Sequence, residues 1–417
     1  MKVLLPTEYY PPFVMGGGEI STKLLAEGLA REGVEVHVLT PNYESFSNTV
    51  SEGKGVHLYR FRSIRRFLHR GRKAFQVSYR RRKPLFYWLL SKYIRFSAWE
   101  FSKRVSKLHE RENFDLIHAQ NLESALGLNL AEVRCPRIAH IRDFGLFCMN
   151  RGKLIGESLC DSCSINNILA CLGAGRFLAR SIWNELSWRR AHSGFDHYIA
   201  ISNFVARELK KENIPDEKIS VIYNPIGDEE ISHLSKQEAK RSLGLDYEKV
   251  ALFVGGLTEA KGAHLLPKLA RKMPNVNFVV VGDGPLRGLF ENGPNNICCR
   301  GHVPHEEVKH YFRAADIVLV PSLWHEPFGR VVVEGQINST PVVASRIGGI
   351  PELIKDGKTG LLVEPGELND LMNAITKVMS SEGLRKRVGD KGHKAARKKY
   401  VTRTIVKRML NAYGKLM

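Results

Sequence analysis

Two glutamates, Glu326 and Glu334, bracket the segment Pro327-Phe328-Gly329-Arg330-Val331-Val332-Val333, shortly after an apolar run that ends at Val320. A helix starting near Gly329 would present unbonded backbone N–H groups and the positive end of its dipole, a combination that suits a diphosphate. Glu326 would lie just before that helix and Glu334 about one turn inside it. Their oxygens could then accept hydrogen bonds from hydroxyls at opposite ends of one ligand, a sugar and a ribose. The same spacing fits a capped helix with two solvated carboxylates, and spacing alone leaves both readings open. Arg142-Asp143 follows a second apolar run at Ile138–Ile141 and reads either as a structural turn or as a group that holds an anion or a sugar hydroxyl. His118 and His140 lie in apolar runs, where a lone histidine is more often structural than functional.

These residues need a framework to position them. Val3-Leu4-Leu5 reads as a buried strand, followed by a Pro-rich loop and Gly16-Gly17-Gly18. Ile20, Leu24, Leu25 and Leu29 recur at helical spacing until Gly33, and Val34, Val36 and Val38 alternate as a second strand. Further strands read at Leu116–His118, Ile138–Ile141 and Tyr198–Ile201. The same grammar restarts at Val250–Val254, followed by a helix over His264–Lys272 and strands at Phe278–Val281, Ile317–Val320 and Pro341–Ala344. Strands alternating with helices predict an α/β protein with two doubly wound, Rossmann-like domains that face a cleft, with ligands beyond the carboxyl ends of the strands.

The chain has 417 residues, 43% hydrophobic and 25% charged, which fits two or three globular domains and excludes disordered and fibrous classes. No apolar run reaches the roughly 18 residues of a spanning helix. The opening Met1–Pro6 is too short, and too soon followed by Glu8, for a secretory signal, so a cytoplasmic protein is expected. Charge is uneven. Between Arg60 and Arg104 stand 15 Lys and Arg against the single acid Glu100, a local +14 out of a total of +20. After Pro84, the residues Trp88, Leu89, Lys92, Tyr93, Phe96 and Trp99 suit an amphipathic helix at an anionic membrane surface. The alternative is a helix packed on its own domain with its basic face in water. Nucleic acid is not the expected partner, because no reading module accompanies the basic stretch. Seven cysteines argue against a complete disulfide framework. Cys148, Cys160, Cys163 and Cys171 could tie a structural zinc, with reduced thiols or a local disulfide as the other readings.

The ordered set of motifs resembles the family-4 retaining glycosyltransferases, which have the fold called GT-B. It runs from Tyr10-Pro11-Pro12 through Gly16-Gly17-Gly18-Glu19 and Ile201-Ser202 to Gly255-Gly256-Leu257, Lys261-Gly262 and Val281-Gly282-Asp283-Gly284-Pro285. Pro321-Ser322, the Glu-x7-Glu segment, Gly348-Gly349-Ile350-Pro351-Glu352 and Asp356-Gly357-Lys358-Thr359-Gly360 complete it. The resemblance implies that Glu326 binds donor-sugar hydroxyls, Glu334 the ribose, and Lys261 the departing diphosphate. It further implies a donor-binding set of Gly17, Gly18, Gly256, Gly282, Val303, Phe328, Gly329, Arg330 and Val331, with Arg142 and Asp143 in catalysis and no catalytic metal. His118 and Glu19 are candidates for an acceptor or sugar site. Two positions depart from the family. Gly256 stands where an arginine often precedes the diphosphate lysine, which leaves Arg330 or Arg287 to fill the gap. Arg142-Asp143 stands where many members have His-Asp. The expected organisation is an acceptor-binding domain over residues 1–230, with a basic segment at 60–104 and a cysteine loop at 144–172. A nucleotide-sugar domain over 231–398 and a final helix over 399–417 that packs back on the first domain complete it. The expected activity is transfer of a hexose from a nucleoside diphosphate sugar to a lipid-linked or glycan acceptor at the inner face of the cell membrane. A soluble acceptor, or another GT-B enzyme such as an epimerase or phosphorylase, is the alternative.

Overall fold

The computed structural model describes residues 1–43, 48–63, 84–148, 154–155, 158–160, 166–167, 170 and 194–417, with the backbone alone for 84–91, 154–155 and 158–159. The chain forms two compact units: Met1–Pro225 with Thr402–Met417, and Ile226–Val401.

The first unit is built on an eight-stranded sheet. Its strands are β1 (Lys2–Pro6), β2 (Glu35–Asn42), β3 (Thr49–Gly53), β4 (Val56–Arg62), β5 (Leu116–Ala119), β6 (Arg137–Ile141), β9 (His197–Ala200) and β10 (Ile219–Val221). A two-residue hairpin, β7 (Leu154–Ile155) and β8 (Ser158–Leu159), stands apart. The order is β10-β9-β6-β5-β1-β2-β4-β3, parallel throughout except for β3, which runs antiparallel to β4 at the edge. Burial on both faces explains why β1, β5 and β6 carry apolar residues at adjacent positions, with His118 and His140 buried among them. Helix α1 (Gly17–Arg31) buries Leu25, Ala26 and Leu29 against this sheet. The long helix α2 (Pro84–Glu112) has proline at its first position, where the missing N–H costs no hydrogen bond. Its residues Ile94, Ala98, Phe101 and Val105 are buried, and it packs on α3 (Leu122–Leu130). The last helix, Thr402–Tyr413, returns to this unit and places Ile405, Val406 and Met409 in the same core as Leu25 and Leu29.

The second unit is a six-stranded parallel sheet of β11 (Val250–Val254), β12 (Asn277–Val281), β13 (Ile297–Gly301), β14 (Ile317–Val320), β15 (Val342–Ser345) and β16 (Leu361–Val363). Its order, β13-β12-β11-β14-β15-β16, is the 3-2-1-4-5-6 winding of a dinucleotide-binding fold. The order reverses between β11 and β14, and α4 (Arg330–Ile337) follows β14. In the first unit the reversal falls between β1 and β5. Crevices at such reversals are where doubly wound sheets take ligands.

Candidate functional site

In the second unit, Lys261 lies in the loop after β11 and Glu326 in the loop after β14, so the reversal of strand order brings them together. The Lys261 ammonium donates to Glu326 Oε1 at 2.5 Å, and Ser322 Oγ donates to the same oxygen at 2.9 Å. Trp324 lies under the ammonium, 5.2 Å from nitrogen to ring centroid, a cation–π contact that helps to fix the lysine. Two glycines make the approach of these loops possible. Gly262 has φ +71°, and a Cβ there would stand 1.9 Å from the Pro321 carbonyl oxygen. Gly348 has φ +60°, and a Cβ would stand 2.4 Å from the Glu326 carbonyl oxygen, which accepts from the Gly349 N–H at 2.7 Å. Any side chain at either position would push apart the backbone that holds Lys261 and Glu326.

Gly329 caps α4 in the left-handed conformation, so the first turn of that helix begins directly after Phe328. Phe328 is buried edge-on against Tyr400, and Val331 is half-buried in the first turn. One turn further, Glu334 accepts from Arg330 Nε at 2.8 Å. The other end of the Arg330 guanidinium donates to Glu230, which also meets His305 Nε2 at 3.2 Å. Burial opposes charge on Glu230, but Arg330 and His305 outweigh it and hold its carboxyl at about 2. Burial pushes Glu334 up, with the same guanidinium opposing. His305 is raised by its hydrogen bond to Glu230. Gly256 lies in the turn after β11, where its carbonyl accepts from the Thr258 N–H at 2.9 Å. The N–H of Gly282, after β12, donates to the Gly301 carbonyl at 2.7 Å, and Val303 is half-buried in the loop after β13. Neither arginine that could stand in for the residue missing at Gly256 is without a carboxylate. Arg330 is shared by Glu230 and Glu334, while Arg287 pairs with Asp283 and Glu291 on the surface.

The first unit brings together a different set. Gly17 and Gly18 open α1, and the Gly16 N–H donates to Glu19 Oε2 at 2.9 Å. Gly18 backs onto the Arg142 side chain, where a Cβ would stand 3.6 Å from Arg142 Cδ. The Arg142 guanidinium donates to Gln120 Oε1 at 3.0 Å and to Asn224 Oδ1. Asp143 Oδ1 accepts from the Gly145 N–H at 2.8 Å, which closes the turn after β6. Desolvation pushes the Glu19 carboxyl up to about 7, with Glu8 raising and Arg142 lowering it to a lesser degree. Behind Arg142, His118 and His140 stack with centroids 5.0 Å apart, and His118 Nδ1 meets the Tyr413 hydroxyl at 2.8 Å. Burial holds both imidazoles well below their ordinary value, and the Arg142 charge acts in the same direction. His118 therefore stays neutral in the interior and does not reach the surface.

Cys148 is buried and Cys160 half-buried, whereas Cys163 and Cys171 lie outside the described residues. Sequence patterns did not single out Glu230, His305, Trp324, Gln120 or Asn224. Glu230 falls in the junction between the two units, and Gln120 and Asn224 sit beyond the ends of short strands, where no spacing rule marks them.

The family model described as Glycosyltransferase Family 4 matches residues 15–230, and that described as Glycosyl transferases group 1 matches residues 235–395. An uncharacterized glycosyltransferase of Methanocaldococcus jannaschii is 30% identical over 99% of this chain and 98% of its own length. Among solved structures, sucrose-phosphate synthase from Thermosynechococcus elongatus superposes with a TM-score of 0.74 at 20% identity, covering 100% of this chain and 98% of that one. Anabaena HepE, in complex with UDP and glucose, gives a TM-score of 0.68 at 20% identity over the whole of both chains. The likeness to the solved structures shows the fold, and the family match together with the full-length relative shows the lineage. The chain belongs to glycosyltransferase family 4, with the GT-B fold.

Proposed function

We propose that this glycosyltransferase moves a hexose, with retention at the anomeric carbon, from a nucleoside diphosphate to a lipid-linked or membrane-associated glycan. The observation that carries the donor side is the Lys261–Glu326 contact, supported by Ser322 and lying before the N-terminus of α4. In this reading the donor diphosphate takes over Lys261, which releases Glu326 to accept from sugar hydroxyls. As the bond from the anomeric carbon to the phosphate oxygen breaks, Lys261 and the first-turn N–H groups of α4 stabilise the growing charge. The acceptor oxygen bonds to the same face of that carbon, and its proton passes to the leaving phosphate. No metal is needed for this step. Glu334, fixed by Arg330, holds the ribose, and the loop at Val303 lies against the base. Gly17 and Gly18 offer N–H groups to a phosphate, while Arg142 orients an anionic or hydroxyl group of a substrate. Because the similar Anabaena protein was solved with UDP and glucose, UDP-glucose is the first donor to test.

For the acceptor, the supporting observation is the outward face of α2. Phe96 is 39% and Trp99 52% exposed, with rings 5.7 Å apart, and Lys92, Arg95 and Lys103 are exposed around them. Among the described residues no helix is long and apolar enough to cross a membrane. A surface of this kind docks on anionic lipid, with each basic side chain near the surface contributing about 1 kcal/mol. The protein would then act from the cytoplasm, peripherally, at the inner face of the cell membrane. A thermal-shift panel of nucleotides and nucleotide sugars identifies the donor, since a bound donor stabilises by mass action. The anomeric configuration of the product, read by NMR, tests retention, and an inverted product overturns it. Sedimentation with anionic vesicles should show salt-sensitive binding that the Phe96→Ala/Trp99→Ala variant loses. No binding by the parent protein would point instead to a soluble acceptor.

A further inference from the structure

We infer that Glu35, His37 and His57 form a binding site for a divalent transition-metal ion, zinc in the first instance, at the outer edge of the eight-stranded sheet. The three side chains come together through strand register. His37 and His57 are direct partners across the parallel pair β2 and β4, and Glu35 precedes His37 by two residues on the same face. Their donor atoms lie within 4.8 Å of one another. The site stands at the amino-terminal ends of β2 and β4, whereas Arg142 lies beyond the carboxyl end of β6.

The rings of His37 and His57 stack with centroids 4.7 Å apart, so the geometry admits an ion once the His57 ring turns toward it. His37 Nε2 and Glu35 Oε1 are 3.0 Å apart. A tetrahedral ion with bonds of about 2.1 Å holds its ligands about 3.4 Å apart, so this pair opens slightly to admit one. His57 and Glu35 are both partly exposed, so their side chains can close on the ion while buried His37 stays fixed. Glu52, opposite His57 on β3, comes within 3.7 Å of His57 Nδ1 and is placed to add a fourth ligand. The second ring nitrogen of His37, Nδ1, meets the Tyr59 hydroxyl at 3.2 Å, the kind of outer contact that fixes the orientation of a ligating imidazole. Phe114 packs edge-on at 5.0 Å and Arg111 lies over the Tyr59 ring, so the imidazole and its phenol partner are both held.

Lys2 contacts Glu35 at 2.9 Å and Glu112 at 3.2 Å. An ion that takes Glu35 leaves Lys2 with Glu112, so one cation replaces another. Two imidazoles and a carboxylate suit zinc, copper or nickel and not calcium or magnesium, which take oxygen ligands. The consequence is structural. β3 is exposed along its whole length and, among the described strands, pairs with β4 alone; an ion between β2 and β4, reached by Glu52, would pin this edge just before the chain enters the basic segment.

The test uses the full-length protein stripped with chelator, then titrated with zinc alone by equilibrium dialysis and with cobalt(II) by absorption. The parent should bind an ion whose cobalt spectrum lacks a thiolate charge-transfer band, which separates this site from the cysteine loop. His57→Asn should bind one zinc fewer per chain, and Tyr59→Phe should bind that ion about tenfold more weakly. If His57→Asn melts lower than the parent when metal-free, Glu35→Gln replaces it as the variant. Equal zinc number and affinity in parent and variant overturns the assignment, as does cobalt binding only through thiolates.

Discussion

Each unit builds one arginine into its site, and the two arginines are held by partners of different charge. Arg330 lies between two buried carboxylates, Glu230 and Glu334, with His305 at the far side of Glu230. Arg142 donates to two amide oxygens, those of Gln120 and Asn224, with neutral stacked imidazoles behind it. Carboxylate pairing locks a guanidinium and consumes its charge. Amide oxygens fix its direction without cancelling its charge, which reaches Glu19. Arg330 is thus suited to holding another protein group, Glu334, in place. Arg142 is suited to meeting an anion. The fold places both kinds of arginine near strand ends, and only the partners decide which role each can take.

The largest expected effect separates these two roles. Arg330→Met leaves two buried carboxylates without their cation, and breaking a buried pair in this way costs about 3–5 kcal/mol. Arg142→Met leaves two amide oxygens short of a donor, at about 1–3 kcal/mol. Chemical unfolding should therefore show the greater loss for Arg330→Met. Steady-state kinetics should show that Arg142→Met impairs transfer out of proportion to its stability. Equal stability losses would break the comparison, and normal transfer by Arg142→Met would make that arginine a purely structural group.

A second pair of variants sharpens the description of the donor side. Lys261→Ala and Glu326→Ala should each lower kcat by about 10²–10³. Because each side chain is the other's partner across 2.5 Å, the double variant should lose little more than either single one. Near-normal turnover in either single variant removes that residue from the reaction.

How much of this was visible beforehand depends on the distance along the chain between the groups concerned. β11 and β14 are Val250–Val254 and Ile317–Val320, the bounds their apolar runs suggest, because strands buried on both faces need continuous apolar sequence. β3 has no such pattern. Thr49–Gly53 is exposed on both faces, so nothing in its side chains distinguishes it from a loop. β4 was hidden for another reason, since its alternating residues overlap the start of the basic stretch. In the site, Lys261, Glu326 and Gly329 sit in short local motifs. The partners that set the chemistry of the two arginines do not. Glu230 is 100 residues from Arg330, and Asn224 is 82 from Arg142. Only strand order brings such pairs together, and strand order is not written in any local window.

The smallest expected effect is a pH dependence of opposite sign in the two regions. Glu19 has its carboxyl raised from 4.5 to about 7 by desolvation, whereas Glu230 is held at about 2. A carboxyl raised on folding binds its proton more tightly in the native state. Its contribution to stability is complete below pH 4.5 and is lost as pH rises toward 7. Glu230 behaves in reverse, with a contribution present above pH 4.5 and lost as pH falls through about 2. Histidines complicate the interval between, because burial lowers His37, His118, His140 and His197, and each of these adds stability as pH rises. Comparison with Glu19→Gln removes them, since both proteins share every histidine. The difference in urea midpoint between parent and Glu19→Gln should therefore change from pH 4.5 to pH 8, the parent losing ground as Glu19 ionises. Parallel curves across that range would mean that the charge on Glu19 is well accommodated beside Gly16 and Arg142. The first unit would then carry no carboxyl poised near neutral pH, and an ionised Glu19 would stand beside Arg142 as a second charge by which its site could select a ligand.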